Sequence, residues 1–232
     1  MKTFILLFCL TSIFSGITFA QVSGEYSFDD PKEIEVLHYI SLYKNGTFEI
    51  SIHESLTNDM GLEILLSYGN YILKNGNIEL HDKYNGFNMR FEYHQYFLIA
   101  KKSYNGFVGN KFKKVRSSIE MGNTFSEKIK IKTIKQLIST LNASNLKENV
   151  INSGIYEGEG EKFNLNLSFD HTYVFKYHSF VISKGKWSRN KNELILFDSI
   201  LKHPFYLFIS KNGLYNLFIP GFHPIGSLLK KV

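Results

Sequence analysis

Apolar and polar residues alternate with a period of two along most of this chain. Val36, His38, Ile40 and Leu42 fall on one side of a first run; Phe48, Ile50 and Ile52 carry that side on, with Glu49, Ser51 and His53 opposite. Successive side chains of a strand point to opposite faces, so the pattern predicts antiparallel sheet with one face buried. Lys44-Asn45-Gly46 separates the two runs, and Asn-Gly readily takes the left-handed angles of a tight hairpin. Phe87, Met89, Phe91 and Tyr93 alternate against Arg90, Glu92 and His94, and Phe163, Leu165, Leu167 and Phe169 against Asn164, Asn166 and Ser168. Asp170-His171 and Lys211-Asn212-Gly213 read as further turns, the second between strands at 205–209 and 214–219.

One stretch departs from this pattern. Residues 127–132 set Lys128, Lys130 and Lys132 against Ile129 and Ile131, as in a short strand whose lysine row guards an exposed edge. Ile134, Leu137, Ile138 and Leu141 then follow helical spacing and predict a short amphipathic helix.

The β segments are written twice. Gly24-Glu25-Tyr26 opens the first set and Gly154-Ile155-Tyr156 the second. Leu42 precedes Thr47-Phe48 at the spacing at which Leu167 precedes Thr172-Tyr173. Gly69-Asn70-Tyr71 and Gly185-Lys186-Trp187 follow, each with a short apolar strand at one further spacing, Ile78 to Leu80 and Leu194 to Leu196. Common spacings in common order predict a duplicated unit, and duplication requires both halves to share one strand order.

The first twenty residues stand apart. Lys2 precedes an apolar run from Phe4 to Phe14, and Thr18-Phe19-Ala20 places small residues where a signal peptidase reads, so residues 1–20 are expected to be a secretory leader ending before Gln21. The run is too short, and too interrupted by Thr11, Ser12 and Ser15, for a membrane span. Cys9 lacks the small preceding residue of a lipidation site and would leave with the leader, so the mature chain would have no thiol for a disulfide or a metal. The expected organisation is therefore leader 1–20, first unit 21–116, linker with short strand and helix 117–150, and second unit 151–232. Residues 21–116 carry 11 basic and 12 acidic residues, and residues 151–232 carry 10 and 6. The second half is mildly basic, with no clustered patch that predicts a nucleic-acid partner. Lys111, Lys113, Lys114 and Arg116 form the densest group and read as a solvated strand end.

Gly-x-aromatic, then Leu-x-x-Asp/Asn-Gly-Thr-aromatic, then a second Gly-x-aromatic resembles the small lipocalin-like barrels of bacterial envelope proteins, a group that includes copper-resistance lipoproteins. Gly24, Tyr26, Leu42, Asn45, Gly46, Thr47, Phe48, Gly69 and Tyr71 match in the first unit. Gly154, Tyr156, Leu167, Asp170, Thr172, Tyr173, Gly185 and Trp187 match in the second, with His171 replacing the turn glycine. The resemblance implies an all-β fold of two similar antiparallel barrels or curved sheets with one short linker helix, in an exported, periplasmic or secreted protein. The Cys-x-x-Cys of the copper-resistance members is absent, so the resemblance carries over neither copper binding nor a lipid anchor.

No nucleophile elbow, zinc-protease, phosphate-loop or dinucleotide motif occurs. The eight histidines are scattered and no pair has zinc-ligand spacing, so no catalytic residue, metal or cofactor is expected. His38 shares the inward parity of its strand and reads as a core histidine or a polar contact inside a ligand cavity. Asp170 and His171 read as turn residues or, with His178, as the least poor acid–base candidates for a secreted hydrolase. Phe222-His223-Pro224-Ile225 reads as a closing loop or a docking segment. Aromatic residues make up 16% of the chain, which suits two small barrel cores as well as a binding face.

The leading expectation is a non-catalytic barrel protein that binds an apolar small molecule or an envelope partner, with filled barrels of purely structural or interaction use as the alternative. From Leu42 to Gly69 the first unit spans 27 residues, against 18 from Leu167 to Gly185. The excess includes apolar residues between Leu56 and Leu66, which form either a lid over a barrel mouth or a longer hairpin or short helix packed outside. Any cavity is accordingly expected in unit one, lined by Tyr26, His38, Ile40, Phe91 and Tyr93.

Overall fold

A computed structural model describes residues 19–29, 36–54, 62–83, 85–117, 153–158, 162–218 and 227–232. The predicted strand at 127–132, the linker helix and the segment Phe222 to Ile225 lie outside these residues. A four-residue helix, α1 (Phe19–Val22), precedes eight strands: β1 (Gly24–Asp29), β2 (Val36–Leu42), β3 (Thr47–Glu54), β4 (Leu62–Lys74), β5 (Asn77–Asp82), β6 (Asn88–His94), β7 (Phe97–Lys102) and β8 (Lys111–Ser117). Each pairs antiparallel with the next, and β8 returns to β1, closing a barrel. A second set repeats the order: β9 (Gly154–Glu157), β10 (Phe163–Leu167), β11 (Thr172–Tyr177), β12 (Phe180–Asn190), β13 (Glu193–Asp198), β14 (Pro204–Ser210), β15 (Gly213–Phe218) and β16 (Leu228–Lys231), with β16 returning to β9. The halves thus share one strand order, as duplication requires.

Alternation decides what fills each barrel. Val36, His38, Ile40 and Leu42 on β2 are buried, and so are Ile78 and Leu80 on β5, Met89 and Phe91 on β6, and Leu194 and Leu196 on β13. Eight strands enclose a lumen that side chains can fill. Two inward or outward assignments change. Ser51, expected outside, is buried although Ile50 and Ile52 keep their inward parity; its hydroxyl lies 2.9 Å from His53 Nε2, and the bulge at this level adds Leu66 on β4. Phe169, expected inside, is 89% exposed, because β10 ends at Leu167 and Phe169 already lies in the turn.

The longer span of the first unit is described in part. Residues 62–66 belong to β4, paired to β3 with Glu54 opposite Leu62, and Ile64 and Leu66 point into the core. These residues lengthen a hairpin and are no lid; residues 55–61 lie outside the description.

The repeated glycines explain themselves through close approach. Gly69 sits opposite Asp82 and Gly185 opposite Asp198. A Cβ at Gly69 would collide with the main-chain oxygen of His81, and one at Gly185 with that of Phe197. Both obstacles are backbone, which cannot rotate aside. The aromatic two residues on then locks the neighbouring turn: Tyr71 Oη donates to the Tyr43 carbonyl at 2.8 Å, and Trp187 Nε1 donates to the Ser168 carbonyl at 3.1 Å. Gly185→Ala is expected to destabilise the chain by about 2–3 kcal/mol through this overlap. Urea denaturation checks it, with exposed Lys186→Ala as a control within about 0.5 kcal/mol of the parent.

Candidate functional site

Among the described residues, three places gather polar or aromatic side chains: the floor of the first barrel, the junction between barrels and the outer pole of the second barrel. At the floor, α1 closes the end where β1 begins. Val22 is fully buried, Tyr26 Oη donates to its carbonyl at 2.7 Å, and the Phe19 ring meets Tyr71 edge-on at 5.2 Å. Tyr26 faces Ile40 across β1 and β2, and Tyr93 reaches the Gln21 carbonyl at 3.4 Å. Burial, then the neighbouring Tyr93 and Tyr71, pushes the Tyr26 hydroxyl well above the usual tyrosine range. Lys114 Nζ donates to the Gln21 carbonyl at 3.2 Å and lies 5.5 Å from the Tyr26 ring centre; burial lowers its pKa.

The expected lining residues therefore spread along the whole lumen. Tyr26, Ile40 and Tyr93 sit towards the floor. Phe91 lies above them, edge-on to Phe112 at 6.1 Å. His38 lies at the opposite end, the mouth. Tyr26, His38, Ile40 and Phe91 have no exposed surface, and Tyr93 packs against the core from its edge.

The mouth is where the barrels meet. The β7–β8 loop folds over it, carrying Phe107 to 5.3 Å from the His38 ring and 5.0 Å from Phe112. Phe180, the first residue of β12, reaches in from the second barrel to 4.4 Å from His38 and 4.9 Å from Phe107. Its ring lies on Gly106, where any Cβ would overlap it. Asn105 and Gly106 donate main-chain N–H bonds to the Ile182 and Val181 carbonyls at 3.2 and 2.8 Å. Beside this seam Phe87 packs on His203 at 5.6 Å and on Phe205 at 5.9 Å. The barrels are thus joined mouth to mouth.

Two buried carboxylates flank the seam in equivalent positions, each with its serine fifteen residues before it. Ser67 Oγ donates to Asp82 Oδ2, and Ser183 Oγ donates to Asp198 Oδ2 at 2.6 Å. Asp82 Oδ1 accepts the Asn85 N–H, and Asp198 Oδ1 accepts the Ile200 and Leu201 N–H groups at 2.7 Å. A carboxylate that takes up these donors ties off a β turn that would otherwise bury unpaired amides. Asn105 Nδ2 also donates to Asp198 Oδ2 at 3.2 Å, which links the second clasp to the first barrel. The repeat spacing marks Gly69 and Gly185 but not these pairs. Their signal was Ser-x-Gly-x-aromatic, followed thirteen residues after the glycine by Asp.

At the outer pole, Asp170 Oδ1 accepts the Thr172 N–H at 3.0 Å and the Thr172 hydroxyl at 2.6 Å. Asn45 Oδ1 takes the same two bonds from Thr47 at the same distances. The Thr172 hydroxyl bond, then its N–H, holds the Asp170 carboxyl below the usual range. His171 has φ 61°, where Gly46 has 81°, and it lies 4.6 Å from the Trp187 ring. These are turn residues. His178 lies at the other end of β11, and seven residues of extended chain place it roughly 20 Å from His171. Asp170, His171 and His178 therefore form no common cleft. Among the described residues no three His, Cys, Asp or Glu side chains converge as a metal site, and no helix is long and apolar enough to cross a membrane.

No family model matches the sequence, and no curated protein matches it. Among solved structures, the fold is similar to the crystal structure of the Cpx pathway activator NlpE from Escherichia coli, with 11% identity and a TM-score of 0.26 over 83% of this chain and 95% of that one.

Burial also raises the Tyr104 and Tyr173 hydroxyls well above the usual range, with the aspartates of the clasps adding to it. A tyrosine whose folded pKa is raised contributes fully below its unfolded pKa, and the contribution is lost as pH rises towards the folded value. Stability is expected to be insensitive to these groups at neutral pH and to fall above about pH 10 by about 1.4 kcal/mol per pH unit for each buried tyrosine. Denaturant titrations at rising alkaline pH check the slope, and Tyr173→Phe should flatten it.

Proposed function

We propose that this chain is an exported, non-catalytic protein that works through its surfaces: two filled barrels held mouth to mouth as an interaction module of the cell envelope. The complete burial of Tyr26, His38, Ile40 and Phe91 carries this reading, because a water-filled or ligand-sized space beside them would leave them accessible surface. Export is proposed from the leader pattern of residues 1–20. Cleavage before Gln21 would remove Phe19 and leave the Val22 carbonyl in place as the acceptor for Tyr26. The protein recovered after expression in a bacterial host is expected to have an intact mass beginning at Gln21. A cytosolic protein retaining residues 1–20 would refute export.

A second reading is favoured by one observation, the Phe180 ring seated at the mouth over His38 and Gly106. An apolar ring fits there, so an apolar ligand could enter barrel one when the barrels part and contact Tyr26, His38, Ile40, Phe91 and Tyr93. Titration of the full chain with an apolar fluorescent probe separates the two. The filled-barrel reading expects no saturable binding. Saturable one-to-one binding, weakened at least tenfold by Phe91→Ala with unchanged circular dichroism, would replace it with the ligand reading.

A further inference from the structure

We propose that the outer pole of the second barrel is a docking surface for an anionic lipid bilayer. The observation that starts the argument is Phe169, which is 89% exposed at the tip of the β10–β11 turn. The ring contributes nothing to that turn. Asp170, Thr172 and the left-handed His171 build it, with the bonds that Asn45, Thr47 and Gly46 use in the first barrel, where exposed Lys44 occupies the place of Phe169. Single exposed apolar residues are ordinary on protein surfaces, so the setting has to carry the inference.

The setting is a projecting, positively charged end. Antiparallel order brings the β10–β11, β12–β13 and β14–β15 turns and the end of β16 to this pole. Lys186, Arg189, Lys191, Lys211 and Lys231 are exposed on them. Among the described residues the acidic groups at this pole are Asp170, whose carboxylate is engaged by Thr172, and Glu193. The mouth-to-mouth junction occupies the opposite end of the barrel, so among the described residues nothing from the first barrel covers this pole. An aromatic tip ringed by lysine and arginine suits an anionic bilayer: the ring enters the interface between headgroups and acyl chains while the cations meet the phosphates. A nucleic-acid duplex would use the cations but keeps its bases stacked inside and offers the ring no apolar layer.

The pole carries its own reporter. Trp187 is the single tryptophan of the chain, half-buried against the same turn through its bond to the Ser168 carbonyl. Full-length protein is mixed at low salt with vesicles of phosphatidylglycerol and phosphatidylcholine in equal parts, or of phosphatidylcholine alone. Binding is expected to the first and not the second, to weaken as salt rises past the physiological range, and to bring quenching of Trp187 by brominated acyl chains. Phe169→Ser should weaken binding about tenfold and Phe169→Trp should retain it. Lys191→Glu and Lys211→Glu should each weaken it by at least fivefold, with unchanged melting temperature. Failure of the parent protein to bind the anionic vesicles would overturn the proposal, as would equal binding by Phe169→Ser or binding that leaves Trp187 unquenched. Salt-sensitive binding to double-stranded DNA of the same strength, indifferent to Phe169→Ser, would also overturn it.

Discussion

Closure of the sheet on itself is the constraint on which the rest of this structure depends. When β8 returns to β1 and β16 to β9, no strand among the described residues is left with an unpaired edge, and every second residue must point into a lumen of fixed size. The lumen of eight strands is narrow enough for phenylalanine and tyrosine rings to fill it, which accounts for the aromatic richness of the chain without recourse to a ligand. Closure also demands that main chain approach main chain at defined points. Gly69 and Gly185 are the places where strand and neighbouring carbonyl come too close for any side chain.

The two polar clasps extend the same logic to the barrel ends. A closed barrel satisfies its backbone along the strands but not in the turns that cover its mouth. Asp82 and Asp198, each fixed by its serine, accept the turn amides where burial would otherwise orphan them. A hydrogen-bonded carboxylate at this place therefore has an architectural explanation, and its burial is no sign of acid–base chemistry.

Much of this was legible in the residues alone, and the rest was hidden for identifiable reasons. Period-two alternation located the inward faces of β2, β5, β6 and β13 because only one face of each strand is buried. It failed at Ser51, which is covered although it lies on the outward face of β3, and at Phe169, where the strand ends two residues early. The doubled glycine–aromatic framework disclosed the repeat because those residues answer to backbone geometry, which both barrels share. The junction left no periodic trace. Gly106, Phe107 and Phe180 meet only in three dimensions, and nothing in the spacing of the β7–β8 loop announces a partner more than seventy residues on. Of the lining residues proposed for barrel one, Tyr26, His38, Ile40 and Phe91 are buried and Tyr93 packs at the edge of the core, and the sequence carries no measure of how much room the rings leave there.

The seating of Phe180 bears on the order in which the molecule is assembled. The amino-terminal barrel is synthesised first, yet the ring that completes its upper end belongs to a strand made well after β8 is finished. Until then His38 and Phe107 stand at an opening that water can reach. The earlier barrel is thus the later one to be finished, and its last increment of stability arrives with its younger copy. Such an arrangement couples the two halves of the chain, because a ring from the second completes the upper end of the first. It also lets the pair diverge, since a histidine can persist at His38 in one copy, where the other has Phe163, as long as the neighbouring copy supplies the missing ring.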